Sequence, residues 1–284
     1  MKSLDRLSLG WRTELIFPRF DAQIIERPDC LVVRTPHNPT FWWGNFLLFD
    51  HAPAEGEAAH WLSTFDAQIA CLQPDSRHIA FGVDADEPFD MPDDLLRAGL
   101  TRHAGTVLTM GRDALRPLPV ELAEGFRIAA LDLPAQACAA VEQQVASDAG
   151  EYQPVEGYRV FRERQMQRYG AMQRAGLGCW FGVFALTGQG ERLVADCGLF
   201  RDGTGAQALG RFQFVSTHPA WRRRGLCRAL IHAVCRHGFE VMDLRTLVIV
   251  ADPDDVAIGL YESLGFRRSA TTWHLERRPD ASAS

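Results

Sequence analysis

The stretch from Phe212 to Leu230, FQFVSTHPAWRRRGLCRAL, leaves this chain few folds to choose from. It opens with Phe212, Phe214 and Val215, aromatic and β-branched residues that suit a strand. Pro219 closes the run because it has no backbone N–H to give to a ladder. Past the proline the period changes. Leu226, Ala229, Leu230, Ala233 and Val234 recur at spacings of three and four, which predicts a helix with one apolar stripe from about Gly225 to Phe239. Between the two elements lie Arg222, Arg223, Arg224 and Gly225, three guanidinium groups and a glycine at a helix N-terminus. There the first amides have no intrahelical partner and the helix dipole adds roughly half a positive charge. Such a junction suits an anion, a pyrophosphate above all. A basic triplet by itself is as well read as a solvated face; its place between strand and helix is what favours a site.

The order of residues says more. Strand, Thr217, Pro219 and then Arg222-x-x-Gly225-x-small resembles the Q/R-x-x-G-x-G/A signature of the GNAT superfamily of acyl-CoA-dependent N-acyltransferases. A second stretch follows it. Leu247-Val248-Ile249-Val250 reads as a buried strand, and Asp254 to Phe266, DDVAIGLYESLGF, is similar to that family's N-x-x-A-x-x-L-Y-x-x-L-G-F helix. Two matches in the right order are far more specific than either alone.

The resemblance implies a mixed α/β sheet of the GNAT acyltransferase fold, acetyl-CoA as cosubstrate, and direct transfer of its acetyl group to a primary amine. By the same resemblance Val215, Ser216 and Thr217 would pair with the pantetheine arm, an amide near Val215 serving as oxyanion donor. Arg222, Arg223, Arg224, Gly225, Leu226 and Cys227 would wrap the pyrophosphate mainly with backbone N–H groups, Arg228 adding charge toward the 3′-phosphate. Tyr261 stands where many relatives supply a general acid, and a phenol with pKa near ~10 suits protonation of a departing thiolate; the bland alternative is a core tyrosine. Cys227 replaces the usual glycine or alanine. Asp254 replaces an asparagine, and a carboxylate can accept but not donate, so a capping role competes with a cofactor contact.

Read along its length, the chain suggests two domains, the prior for 284 residues. Residues 1–24 show no clean period. Strands are expected at Cys30–Thr35, Phe41–Phe49 and His78–Asp84, and an amphipathic helix at Glu57–Leu72 from Trp61, Phe65 and Ile69. Residues 1–115 then read as a smaller α/β domain, a degenerate GNAT-like half without an arginine-glycine loop, and 116–125, with Pro117 and Pro119, as a linker. Residues 126–278 read β-α-α-β-β-β-α-β-α-β, the order of the GNAT core, with helices expected at Leu133–Ala146 and Tyr158–Ala175. Residues 279–284 read as a disordered tail.

Composition narrows the function classes. A net charge of −6 disfavours nonspecific nucleic-acid binding, leaving the Arg222–Arg228 cluster as its only foothold. No apolar run approaches the ~20 residues of a membrane span, and Met1–Trp11 lacks the apolar core of a secretory signal. Seven scattered cysteines, without C-x-x-C or zinc-ligand spacing, read as reduced thiols in a cytoplasmic protein that holds no metal. The expected partner is a small-molecule or amino-acid-like amine, and a homodimer is compatible with the reading. The proton acceptor for that amine is the gap: Gly210–Phe214 carries no carboxylate, which leaves Glu151, Glu156, Glu163 or a water relay. The same gap, with Cys227 and Asp254, motivates a rival of the same fold, a CoA-binding sensor or interaction module without catalysis.

Overall fold

Strand periodicity of two decides the layers of the first half. In the computed structural model, which describes residues 3–118, 122–148, 155–202 and 208–279, Leu31, Val33, Phe46, Leu48 and Ala80 point to one face of a sheet, where they pack on Trp11 and Leu15. Val32, Leu47, Phe49, Phe81 and Val83 point to the other and pack on Trp61, Phe65 and Ile69. Phe49 and Trp61 stack at 3.7 Å. This first compact unit comprises Met1–Val107, Val250–Asp254 and Ser269–Ser284. It contains α1 (Leu9–Glu14), α2 (Pro18–Asp21), β1 (Gln23–Glu26), β2 (Leu31–Arg34), β3 (Phe46–Phe49), α3 (Ala58–Phe65), β4 (Ile79–Val83), α4 (Asp93–Arg97) and the 101–107 stretch of β5 (Thr101–Gly111). β1, β2 and β3 are antiparallel neighbours; β3 and β4 run parallel, with α3 as their crossover.

The second unit is Leu108–Ile249 with Asp255–Arg268. Its elements are β6 (Phe126–Ala130), α5 (Ala137–Ser147), α6 (Val155–Arg174), β7 (Gly178–Thr187), β8 (Gly190–Arg201), β9 (Leu209–Thr217), α7 (Leu226–Glu240), β10 (Thr246–Ala251) and α8 (Ala257–Leu264). The sheet runs β10-β9-β8-β7-β6, antiparallel except for the parallel β9–β10 pair, so the expected element order holds through this half. The helix after the arginine loop buries Leu226, Ala229, Leu230 and Val234 of the stripe its period predicts, with Ala233 half-buried.

Several expected boundaries shift for local reasons. Phe41–Phe49 is not one strand: Asn45 Nδ2 donates to the carbonyls of Phe41 and Asn38 at 2.8 and 3.0 Å, which folds Trp42–Gly44 into a 3₁₀ turn before β3. The helix expected from Leu133 begins at Ala137, because Gln136 closes a turn on Asp132 through both its backbone N–H and its side-chain oxygen. Glu57–Leu72 is helical but changes gauge at Asp66, where five residues adopt the π form. The last strand, β11 (Arg267–Arg277), read from sequence as part of the second half, pairs antiparallel with β4, Trp273 opposite Val83. The compact units thus divide the chain at several places rather than once at 116–125. The 279–284 tail lies outside the described residues beyond Pro279.

Candidate active site

Strand β9 is deformed where the sequence places its functional run. Opposite β8, Asp196 pairs with Ser216 and Gly198 with Gln213, so Phe214 and Val215 face the single residue Cys197. That is a β-bulge, and Phe214 carries it at φ 43°, the left-handed region that a bulky residue enters only at a cost of about 1–2 kcal/mol. The guanidinium of Arg162 on α6 lies 3.6 Å from the Phe214 ring centroid and braces it. On its other edge β9 pairs with β10 from Thr246↔Leu209 only as far as Val248↔Arg211. Beyond Arg211, and through Thr217, the described residues show no register with β10. Backbone groups of β9 therefore border a cleft of about 760 Å³, lined among others by Val215, Ser216 and Thr217.

The arginine loop closes one end of this cleft. Pro219–Trp221 is a 3₁₀ turn, Arg223 sits at φ 61° and Gly225 at φ 76°, and α7 makes its first helical bond from the Ala229 N–H to the Gly225 carbonyl at 3.0 Å. The amides of Leu226, Cys227 and Arg228 thus head the helix with no carbonyl behind them. Glycine is required at 225 by its dihedral, and a Cβ built there would meet nothing within 4 Å, so the backbone faces open cleft.

The arginines divide their labour. Arg222 is tied to the fold, its Nε donating to the Thr217 carbonyl and Nη2 to the Ser147 carbonyl, both at 3.0 Å, which joins the end of β9 to the end of α5. Arg224 stacks on Trp221 at 4.8 Å and does not line the cleft. Arg223 and Arg228 do line it.

Of the sequence-derived positions, Val215, Ser216, Thr217, Arg222, Arg223, Gly225, Leu226, Cys227, Arg228 and Tyr261 meet around one cavity. Asp254 does not line it; it falls in the first unit, with its amide bonded to Asp252 Oδ1 at 2.9 Å. The neighbouring Asp255 does line the cleft, and from the position before the Val256 N-cap its Oδ1 accepts the first helical N–H of α8, that of Ala257, at 2.8 Å. A carboxylate two residues before the first helical amide was a cap signal that sequence reading gave to the wrong aspartate. Ser147, Asp148 and Tyr158 also line the cavity, and no motif pointed to them.

Tyr261 is 4% exposed and its pKa is pushed up, chiefly by burial, so it holds its proton throughout the neutral range. The Cys227 thiol is likewise pushed up, to about 11, by burial, against the opposing hydrogen bond with Thr217. Glu156 and Glu163 are exposed on α6, Glu156 paired with Arg159 at 3.6 Å, and neither lines the cleft; Glu151 lies outside the described residues. Sequence reading missed a carboxylate on β8. Asp196 is fully buried directly behind Ser216, which donates to its Oδ1 at 2.5 Å, and burial raises its pKa. Among the described residues no cluster of three His, Cys, Asp or Glu side chains could hold a metal ion, and no helix is long and apolar enough to cross a membrane.

A family model described as the acetyltransferase (GNAT) family matches residues 142–266, which include every residue that lines the cleft. Residues 142–266 are a GNAT acetyltransferase domain. Solved structures resemble the chain over nearly its full length. A functionally unknown conserved protein from Staphylococcus epidermidis has a TM-score of 0.70 at 13% identity, over 92% of this chain and 95% of that one. A GCN5-related N-acetyltransferase from Kribbella flavida has a TM-score of 0.63 at 16% identity, over 95% of each. A tandem GNAT protein from the clavulanic acid biosynthesis pathway has a TM-score of 0.58 at 13% identity, over 98% of this chain and 94% of that one. At such identities the likeness is one of fold, and it reaches well beyond the GNAT domain into the first unit. No curated protein matches the sequence. With its GNAT domain the chain is an acyltransferase.

Proposed function

We propose that this protein transfers the acetyl group of acetyl-CoA directly to a primary amine on a small-molecule or amino-acid-like acceptor. One observation carries the reading: the bulged edge of β9, freed from β10 after Arg211, leads without interruption into the glycine-gated amides at the head of α7, and Tyr261 lines the same cleft. An extended arm can pair with the edge as a strand would, and a diphosphate suits the amides with Arg223 and Arg228 beside them. Bound acetyl-CoA supplies an acetyl group activated as a thioester. The bulge turns the backbone near Val215 toward the place where negative charge develops on the carbonyl oxygen, and a preorganised amide there lowers the barrier. Tyr261, held neutral by burial, gives its proton to the leaving sulfur. No covalent enzyme intermediate is needed, and the Cys227 thiol, neutral at physiological pH, is no nucleophile. We read the protein as cytoplasmic, and the first unit as a GNAT-like half without the phosphate loop.

The test is release of free thiol from acetyl-CoA across a panel of primary amines. Tyr261→Phe is expected to lower kcat by about 10²-fold with little change in the KM for acetyl-CoA. Acetyl-CoA binding with no thiol released to any amine would favour the sensor reading instead.

A further inference from the structure

The buried acid on β8 is held by three neutral donors and lies in the field of one buried guanidinium, that of Arg162. Asp196 Oδ2 accepts from Gln144 Nε2 at 2.7 Å and from Trp180 Nε1 at 2.9 Å, and Oδ1 accepts from Ser216 Oγ at 2.5 Å. Joining α5, β7 and β9 in this way could be done by neutral groups. Burying a carboxylate instead costs several kcal/mol before its partners are counted. The charged neighbour is Arg162 on α6, whose Nε donates to Gln144 Oε1 at 2.7 Å; the other titratable group close by is Cys197 on the same strand, a thiol pushed up by burial and then by Asp196 itself. Gln144, Trp180 and Ser216, which face the carboxylate from α5, β7 and β9, do not titrate in the working range.

Ser216 connects this acid to the cleft. It lines the cavity beside Val215 and Thr217, and its hydroxyl proton is committed to Asp196. A hydroxyl oxygen has two acceptor sites; Gln143 Nε2 approaches one at 3.3 Å, and the other meets no donor among the described residues. The O–H···O contact to Asp196 is of the length found for charge-assisted bonds. Glu156 and Glu163 are out in solvent, and of the cleft carboxylates Asp255 accepts the Ala257 amide and Asp148 lies at the end of α5; Ser216 is the lining residue that is hydrogen-bonded to a buried carboxylate.

We propose that Ser216 accepts the proton of the attacking amine while its own proton passes to Asp196. The inference rests on the acetyl-transfer reading above and names the proton acceptor which that reading lacks. One N–H bond of the ammonium breaks and a new Oγ–H bond forms; the old Oγ–H bond breaks and Asp196 becomes a neutral acid. The freed nitrogen pair makes the C–N bond and opens the carbonyl to an oxyanion; the nitrogen of that adduct gives its second proton to water in the cleft, the carbonyl re-forms as the C–S bond breaks, and the sulfur leaves with its electron pair and takes the Tyr261 proton. Asp196 then returns its proton through Ser216 to water in the cleft, and Tyr261 is reprotonated there. Ser216 is the catalytic group in this scheme and Asp196 the positioning residue behind it. Burial raises the Asp196 pKa and so favours the neutral acid formed at that moment.

The experiment compares two nucleophiles on wild type, Asp196→Asn and Ser216→Ala, with thermal shift by acetyl-CoA recorded for each. Methylamine, an alkylamine with pKa near ~10, must lose an ammonium proton, whereas hydroxylamine is already unprotonated at neutral pH. Expected is a fall of about 10²–10³-fold in methylamine-dependent thiol release for both variants, with hydroxylamine-dependent release lowered less than about tenfold and the acetyl-CoA stabilisation kept. In Asp196→Asn the acidic limb of the methylamine pH profile should move up toward the ammonium pKa near ~10, because only free amine then reacts. Should Asp196→Asn fail to fold, Ser216→Ala, which leaves the carboxylate its Gln144 and Trp180 donors, decides alone. Methylamine turnover and pH profile unchanged in the variants, or equal loss with both nucleophiles, overturns the relay and leaves acetyl transfer standing. A wild type that releases no thiol to either nucleophile overturns both.

Discussion

The helix that follows β3 in the first unit and the helix that follows β9 in the second both begin with amides that no helical carbonyl can accept. They are treated in opposite ways. At the head of α3 the fold brings its own anion: Asp94 Oδ2 accepts the N–H groups of Gly56 and Ala58, each at 3.0 Å, and its Oδ1 accepts that of Leu95 at 2.9 Å. At the head of α7 the cleft is also lined by Asp148 and Asp255, but among the described residues no carboxylate accepts from the amides of Leu226, Cys227 or Arg228. The loop instead supplies arginines, a left-handed glycine and an open approach. A phosphate at α3 would have to displace a carboxylate; at α7 it would find the position prepared. Two strand-to-helix junctions of similar outline therefore differ in one respect, whether the chain supplies its own anion to the free amides.

The sharpest way to break this comparison is to give α7 an anion of its own. Gly225→Asp puts a carboxylate where Asp94 puts one for α3, at a φ of 76° that aspartate tolerates better than most residues. Acetyl-CoA affinity is expected to fall by about 100-fold or more, measured by calorimetry, since a like charge meets the diphosphate and the amides are already spent. Gly225→Ala, strained to a similar degree but uncharged, should lose about tenfold less. Equal affinities for the two variants would show that charge at the helix head is not what matters.

Asp94 supplies the complementary case. Desolvation pushes its carboxyl up, but the amides of Ala58, Gly56 and Leu95 outweigh that, and its pKa is held below the ordinary carboxylate value. A folded-state pKa below the unfolded one means that the group stabilises the fold above the unfolded value and loses that contribution as pH falls through the folded one. Asp94→Asn should therefore unfold at a lower temperature than wild type at pH 7, with the gap closing below about pH 4. Its thermal shift by acetyl-CoA should be unaltered.

How much of this was legible beforehand follows the same division. The parts of the candidate α7 site are contiguous and so leave a local pattern: a period change, a proline, a basic run and a glycine within one stretch, and a second motif ending in Leu264-Gly265-Phe266. The element order of the second half followed from turn residues and periodicity. The Asp94 cap joins residues 36 and 38 positions apart, and the Asp196 relay joins α5, β7, β8 and β9, so neither leaves a local pattern. Asp196 sits in Leu193-Val194-Ala195-Asp196-Cys197, which reads as one polar residue in an apolar strand. The destination of β11 was hidden for a related reason: its register with β4 is set by contacts nearly two hundred residues apart in the chain, from Ile79 to Arg277.

The smallest expected effect concerns Cys227, the one position of the loop that departs from the family's small-residue pattern. Its side chain is half-buried at the first turn of α7 beside Thr217, and desolvation pushes its pKa up to about 11, so at pH 8 the thiol keeps its proton. It packs as a small apolar group, not as a reactive one. Iodoacetamide at pH 8 should modify the exposed Cys138 well before Cys227, as followed by peptide mass spectrometry, and acetyl-CoA should not reverse that order. Cys227→Ala should change acetyl-CoA affinity by less than about threefold, because the amide at 227, which alanine keeps, is what the helix head offers. A large change in either direction would mean that the side chain reaches the bound ligand, and that α7 uses more than its backbone to do what Asp94 does for α3.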